Sequence, residues 1–230
     1  MYVPATPARA VLDPAPLARI AIVGGTPSPG EASLLAPSPG TVAATRASIA
    51  IRRSDLNVLA DHPAAISGAL LGDRRSVGLP GEVLALQALG ARGWRAIAST
   101  RTGRAGRFRV RYVPARTGSR LLRLRFAGDV YDRGASRLLG RLNVYRLAQA
   151  SWYGGGGSLA CGGELTSTTM GVASKTLPCG TAVTLRYRGR TVGVRVIDRG
   201  PYVAGREFDL TEATKRALGF GDTGQVWSTR

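Results

Sequence analysis

Two carboxylates lie on either side of a Gly-Pro turn near the end of the sequence. The stretch Val192–Leu210 reads VGVRVIDRGPYVAGREFDL, in which Asp198 closes one apolar run and Asp209 stands at the start of the next. The valines at 192, 194 and 196 alternate with other residues, and this period of two predicts a β-strand with one buried face. Because Asp198 continues the valine positions, we expect its carboxyl group at the mouth of a core. A carboxyl group placed there is suited to general acid catalysis.

Asp209 has two interpretations. Residues 210–218 have the pattern of a short amphipathic helix, which Gly219 would end. Either Asp209 or Thr211 is then placed to cap the first turn of that helix. Alternatively, Asp209 is a second carboxyl group of the same site as Asp198. The sequence leaves both interpretations open.

Aromatic residues and glycines open the same C-terminal region. Trp152 and Tyr153 are followed by the glycines at 154–157. No Gly-Lys-Ser/Thr follows these glycines, which argues against a phosphate-binding loop. One interpretation is a flexible loop that lines a groove, with the two aromatic rings stacking on sugars. The other is that both rings fill the core.

The sequence has only two cysteines, Cys161 and Cys179, and its one histidine, His62, is far away. This set cannot supply an ordinary four-ligand zinc site, and we predict neither a metal nor a cofactor. The cysteines form either a disulfide or two buried thiols. We favour the disulfide, which implies an oxidising, extracytoplasmic compartment.

The chain before residue 147 divides into two parts. Residues 1–45 are rich in Pro, Ala, Gly and Ser without a sustained period, which predicts a leader or linker. Residues 46–146 contain recurring strand-like segments separated by turn residues, and the segment 146–150 reads as a connector. The predicted strands are 47–51, 64–70, 82–89, 94–100, 108–112, 120–126 and 140–145. Seven short strands in this length suggest a β-sandwich.

The sandwich region resembles a bacterial immunoglobulin-like (Ig-like) domain. The residues that carry the resemblance are Ile66–Leu70, Trp94-Arg95, Gly106–Phe108 and Phe126–Asp129. Such domains commonly act as spacers or adhesion units.

Arginine dominates the charge, and most of the net charge of +18 lies before residue 148. The residues of Phe108–Tyr112 and Leu122–Phe126 alternate, so their arginines share one face of a sheet. That face is either merely solvated or contacts anionic cell-wall polymers. Nucleic acid is disfavoured, because the aromatic residues fall on the opposite face from the arginines. A GC-rich genome also accounts for abundant arginine.

No apolar run is long enough to span a membrane, and the first residues do not read as a clear signal peptide. In the C-terminal region, a strand pair is predicted at 182–187 and 191–197, across Arg188-Gly189-Arg190. A closing strand is predicted at 225–229. The overall prediction is a mainly β protein, with a sandwich followed by a barrel.

Residues 147–230 resemble the double-psi β-barrel of the rare lipoprotein A (RlpA) family, which is itself similar to expansin and barwin barrels. The resemblance covers about 80 residues. Its motifs are SWYG at 151–154, SKTLP at 174–178, DRGPY at 198–202 and FDL at 208–210. The resemblance implies a six-stranded barrel with short helices.

The resemblance also implies a site and a function. Members bind peptidoglycan glycan strands, and some are lytic transglycosylases that form 1,6-anhydro products. In that reaction Asp198 would be the general acid and base, and no second carboxylate is required because no water attacks. The other side chains of the motif would bind substrate: Trp152, Tyr153, Glu164, Ser174, Lys175, Tyr202 and Asp209.

The chain departs from the family pattern at Ser174, where members often have histidine. Serine cannot relay a proton near neutral pH as histidine does. A non-catalytic, expansin-like module that binds or loosens polysaccharide is therefore the alternative function. Either function places the protein outside the cytoplasm, secreted or associated with the wall.

Overall fold

The computed structural model describes residues 44–73 and 77–230. The predicted leader at 1–45 lies almost entirely outside these ranges. No helix in the described ranges has the length and hydropathy needed to cross a membrane.

The first part of the described chain consists of β-strands arranged in two sheets. All seven predicted strands are present, and β2 is an additional short strand. Strands β1, β3 and β6 pair antiparallel in one sheet, while β5, β4, β7 and β8 pair antiparallel in the other. The strands are β1 (Thr45–Ser54), β2 (Asn57–Leu59), β3 (Ala64–Gly72), β4 (Val83–Gly90), β5 (Gly93–Arg101), β6 (Arg107–Tyr112), β7 (Gly118–Gly128) and β8 (Asp132–Tyr153).

Both sheets contribute to one hydrophobic cluster. Phe108 and Val110 of β6 are buried, as are Leu122, Leu124 and Phe126 of β7. The arginines at 107, 109 and 111, between the buried residues of β6, are exposed. The alternation read from the sequence is therefore confirmed. The assignment to the Ig-like class remains a prediction.

Strand β8 is much longer than the predicted segment 140–145. It continues through residues 146–150, so the predicted connector is wrong. Two neighbouring strands satisfy the backbone of this segment: Arg146–Ala150 pairs antiparallel with the last strand, β15 (Gly224–Ser228), and Ala150 also pairs with β14 (Phe208–Thr211). The predicted boundary at residues 146 and 147 thus falls inside a strand.

Six strands close into a barrel in the second part of the chain. The order around the barrel is β14, β11, β13, β12, β15 and β8, and pairing between β14 and β8 closes the ring. The remaining strands are β9 (Gly157–Ser158), β10 (Glu164–Leu165), β11 (Val172–Ala173), β12 (Ala182–Tyr187) and β13 (Arg190–Asp198). A second hydrophobic cluster fills the barrel and includes Val194, Val196, Leu210 and Val226. The six-stranded barrel is confirmed.

The helix α1 (Glu212–Leu218) follows β14 and is capped at both ends. Thr211 is its N-cap, with Oγ1 accepting from the backbone N–H of Thr214, and Gly219 ends it in the left-handed conformation. Asp209 lies in β14, two residues before the cap, and so does not cap the helix. The capping interpretation of Asp209 is therefore wrong.

Candidate active site

Four strands of the barrel bring two carboxyl groups into one row. Ala173 of β11 pairs with Asp198 of β13 on one side and with Asp209 of β14 on the other. Asp209 in turn pairs with Ser151 of β8. Adjacent strands lie about 4.8 Å apart, so the backbones of the two aspartates are separated by about 10 Å. Between them is Ala173, whose short side chain is buried.

A shift in strand register positions Asp198 in this row. Val172 pairs with Val196, but the next residue, Ala173, pairs with Asp198, so Ile197 is the extra residue. Such β-bulges redirect side chains and often occur beside active sites. Simple alternation from the valines is therefore not the reason that Asp198 reaches the site. Its half-buried position depends on the bulge.

The Asp198 carboxyl group is oriented by two backbone donors. Its Oδ1 accepts hydrogen bonds from the backbone N–H groups of Ala160 at 2.9 Å and Arg199 at 2.8 Å. These donors occupy both lone pairs of Oδ1. A proton carried by Asp198 therefore sits on Oδ2.

Two loops hold the end of β13, and a disulfide joins them. Cys161 is bonded to Cys179, which confirms the predicted disulfide, and the backbone N–H of Cys161 donates to the carbonyl of Ile197 at 3.2 Å. The Arg199 guanidinium turns towards the second loop. It donates to the carbonyls of Ser174 at 2.9 Å and Leu177 at 2.8 Å, and to Sγ of Cys179.

Ser174 takes part in the structure of this second loop. Its backbone N–H donates to the carbonyl of Asp198 at 3.1 Å. Its buried hydroxyl accepts from the backbone N–H of Leu177 at 3.4 Å. The side chain therefore orders the chain that follows it. Lys175, the next residue, is exposed.

Asp209 has a different environment from Asp198. Ser151 Oγ donates a hydrogen bond of 2.7 Å to its Oδ1. Burial raises the pKa of Asp209, and the nearby charge of Asp198 adds to the rise, while Ser151 and Arg206 act in the opposite direction. Asp209 therefore retains its proton to a higher pH than an exposed aspartate does.

Tyr153 contributes a hydroxyl group to the same face. It lies two residues after Ser151 on β8, so its side chain is on the same side of the strand. Burial raises the pKa of Tyr153, and the negative charges of Asp198 and Asp209 raise it further. The hydroxyl therefore remains protonated. It is buried beside the Asp198 carboxyl group and makes no hydrogen bond of ordinary geometry with the described residues.

Trp152, another predicted site residue, is turned away from this group. Trp152 points to the opposite side of β8 from Ser151 and Tyr153, and its Nε1 donates to Asp222 at 3.0 Å. Lys215 Nζ lies 3.7 Å from the centroid of the Trp152 ring, so one face of the ring is covered by a cation. Trp152 is therefore not joined to the aspartate row.

Glu164 and Tyr202 are both exposed. Glu164 lies on β10, which pairs with β9, and Tyr202 has 81% of its surface accessible, just after the Gly-Pro turn.

The structure adds Ser151, Ala173 and the Ala160 N–H to the site. Ser151 has a signal in the sequence, because it lies two positions from Tyr153. The other two depend on long-range register and have none.

Metal binding has no support from the side chains of the described chain. In residues 44–73 and 77–230, no three His, Cys, Asp or Glu side chains are placed to share an ion.

The barrel matches a known family. Residues 147–227 match the double-psi β-barrel family model described as lytic transglycolase. Residues 147–227 are an RlpA-like double-psi β-barrel.

The RlpA-like barrel is similar to several curated proteins. It is 41% identical over 80 residues to the Aquifex aeolicus protein named "Probable endolytic peptidoglycan transglycosylase RlpA", a match covering 33% of this chain and 35% of that protein. It is 41% identical over 87 residues to the "Endolytic peptidoglycan transglycosylase RlpA" of Pseudomonas aeruginosa, covering 35% of this chain and 26% of that protein. The chain therefore spans about a third or less of the length of these relatives.

Among solved structures, the Streptomyces papain inhibitor (SPI) is 22% identical and aligns with a TM-score of 0.31. The alignment covers 37% of this chain and 94% of that one.

Proposed function

We propose that the protein cleaves peptidoglycan glycan strands as a lytic transglycosylase. The observation that supports this most directly is the row of Asp198, Ala173 and Asp209, in which two carboxyl groups with different environments flank a small residue. The names of the relatives of the RlpA-like barrel support the choice of polymer.

Asp198 is the proposed general acid and base. When Asp198 acts as the acid, the proton is on Oδ2, because backbone donors occupy Oδ1. Oδ2 gives this proton to the glycosidic oxygen as the bond to the muramoyl carbon breaks. The same oxygen then takes the proton of the muramoyl 6-hydroxyl as that hydroxyl closes the 1,6-anhydro ring. The proton is thus returned to the enzyme and no water is consumed.

Asp209 and Tyr153 are the proposed substrate-binding groups. The Tyr153 hydroxyl is a buried donor beside the Asp198 carboxyl group, and it makes no hydrogen bond of ordinary geometry within the described chain. Asp209 is held by Ser151, and the protonated form that its raised pKa favours can donate a hydrogen bond to a sugar hydroxyl. Such donors stabilise the transition state if they bind more strongly there than to the substrate.

The test is digestion of purified sacculi by the full chain, followed by identification of the released fragments. We expect anhydro-muropeptides from the wild type and a loss of at least about a hundredfold in Asp198→Asn, the lower range for removal of a general acid. Asp209→Asn is the matched control, because it retains a neutral hydrogen-bonding group, and it should keep part of the activity. Release of fragments with ordinary reducing ends would indicate hydrolysis and contradict the proposal.

A non-catalytic, expansin-like module is the second candidate. Ser174 favours it, since the hydroxyl and the backbone N–H of this residue are engaged in ordering the loop beside Asp198. This candidate predicts that the folded protein sediments with sacculi but releases no fragments. Release of anhydro products would exclude it.

The compartment and a second partner follow from other features. The Cys161–Cys179 disulfide and a wall substrate both support an extracytoplasmic location, secreted or wall-associated.

The exposed arginines at 107, 109 and 111 of β6 support contact with anionic wall polymers. Replacing all three by glutamine should weaken binding to purified teichoic acid and make that binding less sensitive to salt. Unchanged binding would argue that this face is only solvated.

A further inference from the structure

A second surface of the barrel has the composition of a ligand site. A cavity of about 380 Å³ opens on the outer side of β8, β15 and β12. Aromatic rings and two guanidinium groups line it, and none of the lining residues is acidic. The main lining residues are Leu147, Arg186, Tyr187, Arg188, Gln225 and Trp227.

Trp227 forms the centre of this surface. It pairs with Leu147 on one side and with Arg186 on the other, so the three side chains stand in a row on one face. The neighbouring Val226 is fully buried in the barrel, which directs Trp227 outwards. The Tyr145 ring packs against the Trp227 ring, with centroids 5.7 Å apart. The indole is therefore supported from the protein side.

Arg186 is held in place beside the indole. Its Nη1 donates to the carbonyl of Gly189 and to Oγ1 of Thr191, both at 2.9 Å. These bonds leave the other nitrogen atoms of a planar, five-donor group to face a ligand. A guanidinium that is already fixed loses less conformational entropy when it binds an anion.

Arg188 is presented by a tight hairpin turn. Arg188 and Gly189 both have positive φ, at 45° and 86°, as the turns that suit the twist of a β-hairpin require. The Arg188 guanidinium lies 5.3 Å from the centroid of the Tyr187 ring. A non-glycine residue in this conformation is uncommon, and here it projects an exposed cation at the edge of the cavity.

This surface is distant from the aspartate row. Arg186 pairs with Thr191 near the start of β13, whereas Asp198 ends the same strand. At about 3.3 Å per residue, the separation along the strand is about 23 Å. The surface is therefore not part of the proposed active site.

We propose that this surface, the Trp227 platform (Leu147, Arg186, Arg188 and Trp227), binds an acidic saccharide. A sugar ring stacks on the indole, and its carboxylate accepts hydrogen bonds from the two guanidinium groups. The choice of a saccharide over another polyanion rests on the proposed function. A glycan strand bound here is held on the protein while a separate part of the strand occupies the aspartate row.

The experiment measures binding to soluble, peptide-free glycan strands, whose muramoyl sugars carry carboxylates. Chito-oligosaccharides of similar length provide the uncharged comparison. All measurements use the full chain carrying Asp198→Asn, so that no strand is cut. Arg188→Asn removes the guanidinium but tolerates positive φ, and Trp227→Leu removes the ring. Arg137→Asn, an exposed arginine on β8, is the control for loss of one positive charge.

We expect Arg188→Asn to weaken binding of the acidic strands by about tenfold, in the range for one charge-assisted hydrogen bond. Trp227→Leu should weaken it by about the same factor, because the aromatic ring that the sugar stacks on is lost. Arg137→Asn should change it by less than about twofold. Equal affinity for chito-oligosaccharides, or an equal loss in Arg137→Asn, would overturn the proposal. Tighter binding of a single-stranded DNA oligonucleotide, lost in the same variants, would also overturn it. If Trp227→Leu does not fold, Arg188→Asn and Arg186→Gln decide the outcome.

The two proposals fail separately. The binding assay does not depend on cleavage, so an absence of anhydro products would contradict the proposed function but not the Trp227 platform. Conversely, unchanged binding in the platform variants would contradict the platform, and the role of Asp198 would still be tested by the sacculus digestion.

Discussion

Removal of the Cys161–Cys179 disulfide is expected to affect both stability and activity. The bond closes a loop with a sequence separation of 18 residues. In the chain-entropy description, a loop of that length stabilises the fold by about 3 kcal/mol. For a domain of this size, each kcal/mol corresponds to about 2–4 °C in melting temperature. We therefore expect Cys161→Ser/Cys179→Ser to melt about 6–12 °C below the wild type.

The effect on activity has a separate cause. The first loop supplies the Ala160 N–H that donates to Asp198 Oδ1, and the disulfide ties this loop to the second. Without the bond, the Ala160 hydrogen bond forms only part of the time. The loss of one such hydrogen bond is equivalent to about 1 kcal/mol, or about fivefold in rate.

The assay compares anhydro-muropeptide release by the double serine variant and the wild type at 20 °C below the lower melting temperature. Under this condition both proteins are folded, so any difference in rate reports the geometry of Asp198. The wild type treated with a reductant provides a second measurement without mutation. Full activity in the folded, disulfide-free protein would refute the idea that the disulfide positions Asp198.

Three further predictions concern the same face of the barrel. The pKa of Asp209 is raised in the folded state, so ionised Asp209 lowers the free energy of unfolding at pH values above that pKa. This loss disappears as the pH falls below the pKa that Asp209 has in the unfolded chain. Asp209→Asn should therefore raise the melting temperature at pH 7 and have little effect near about pH 3. A lower melting temperature at pH 7 would mean that the fold stabilises Asp209 as an anion. Tyr153→Phe should leave the denaturation midpoint unchanged or higher, since the hydroxyl has no partner in the described chain, while weakening glycan binding by about tenfold. Thr211→Ala should lower the free energy of unfolding by about 1–2 kcal/mol in urea denaturation, since it removes the N-cap of α1, and a change below about 0.3 kcal/mol would contradict the cap assignment.

Much of the architecture could be predicted from local patterns. The period of two in β6 and β7 identified which side chains are buried, because a strand alternates its faces whatever its partners are. The Leu210–Leu218 pattern and Gly219 located α1 to within two residues. The resemblance carried by the C-terminal motifs predicted six strands, and the presence of only two cysteines, with no histidine nearby, favoured the disulfide.

The parts that could not be predicted depend on contacts between distant segments. The connector at 146–150 contains no glycine or proline, and its true state is set by pairing with β15 and β14, far along the chain. The bulge at Ile197 arises from the register between β11 and β13, which alternation within β13 does not reveal. The role of Asp209 was ambiguous for the same reason, because its place in β14 follows from pairing with β11 and β8, two distant segments.

The continuous strand β8 has a mechanical consequence. Its first half is paired in a sheet of the N-terminal part, and its second half is one of the six strands of the barrel. No linker therefore separates that sheet from the barrel. Consider a force that pulls the N-terminal part away from a glycan bound to the barrel. The backbone hydrogen bonds that pair β8 with its neighbouring strands carry this force, and they must break together. Under the proposed function, a β8 connection of this kind resists extension where a flexible linker would stretch. A fragment that begins at residue 147 would start inside this strand and lack the Arg146–Ser228 pair.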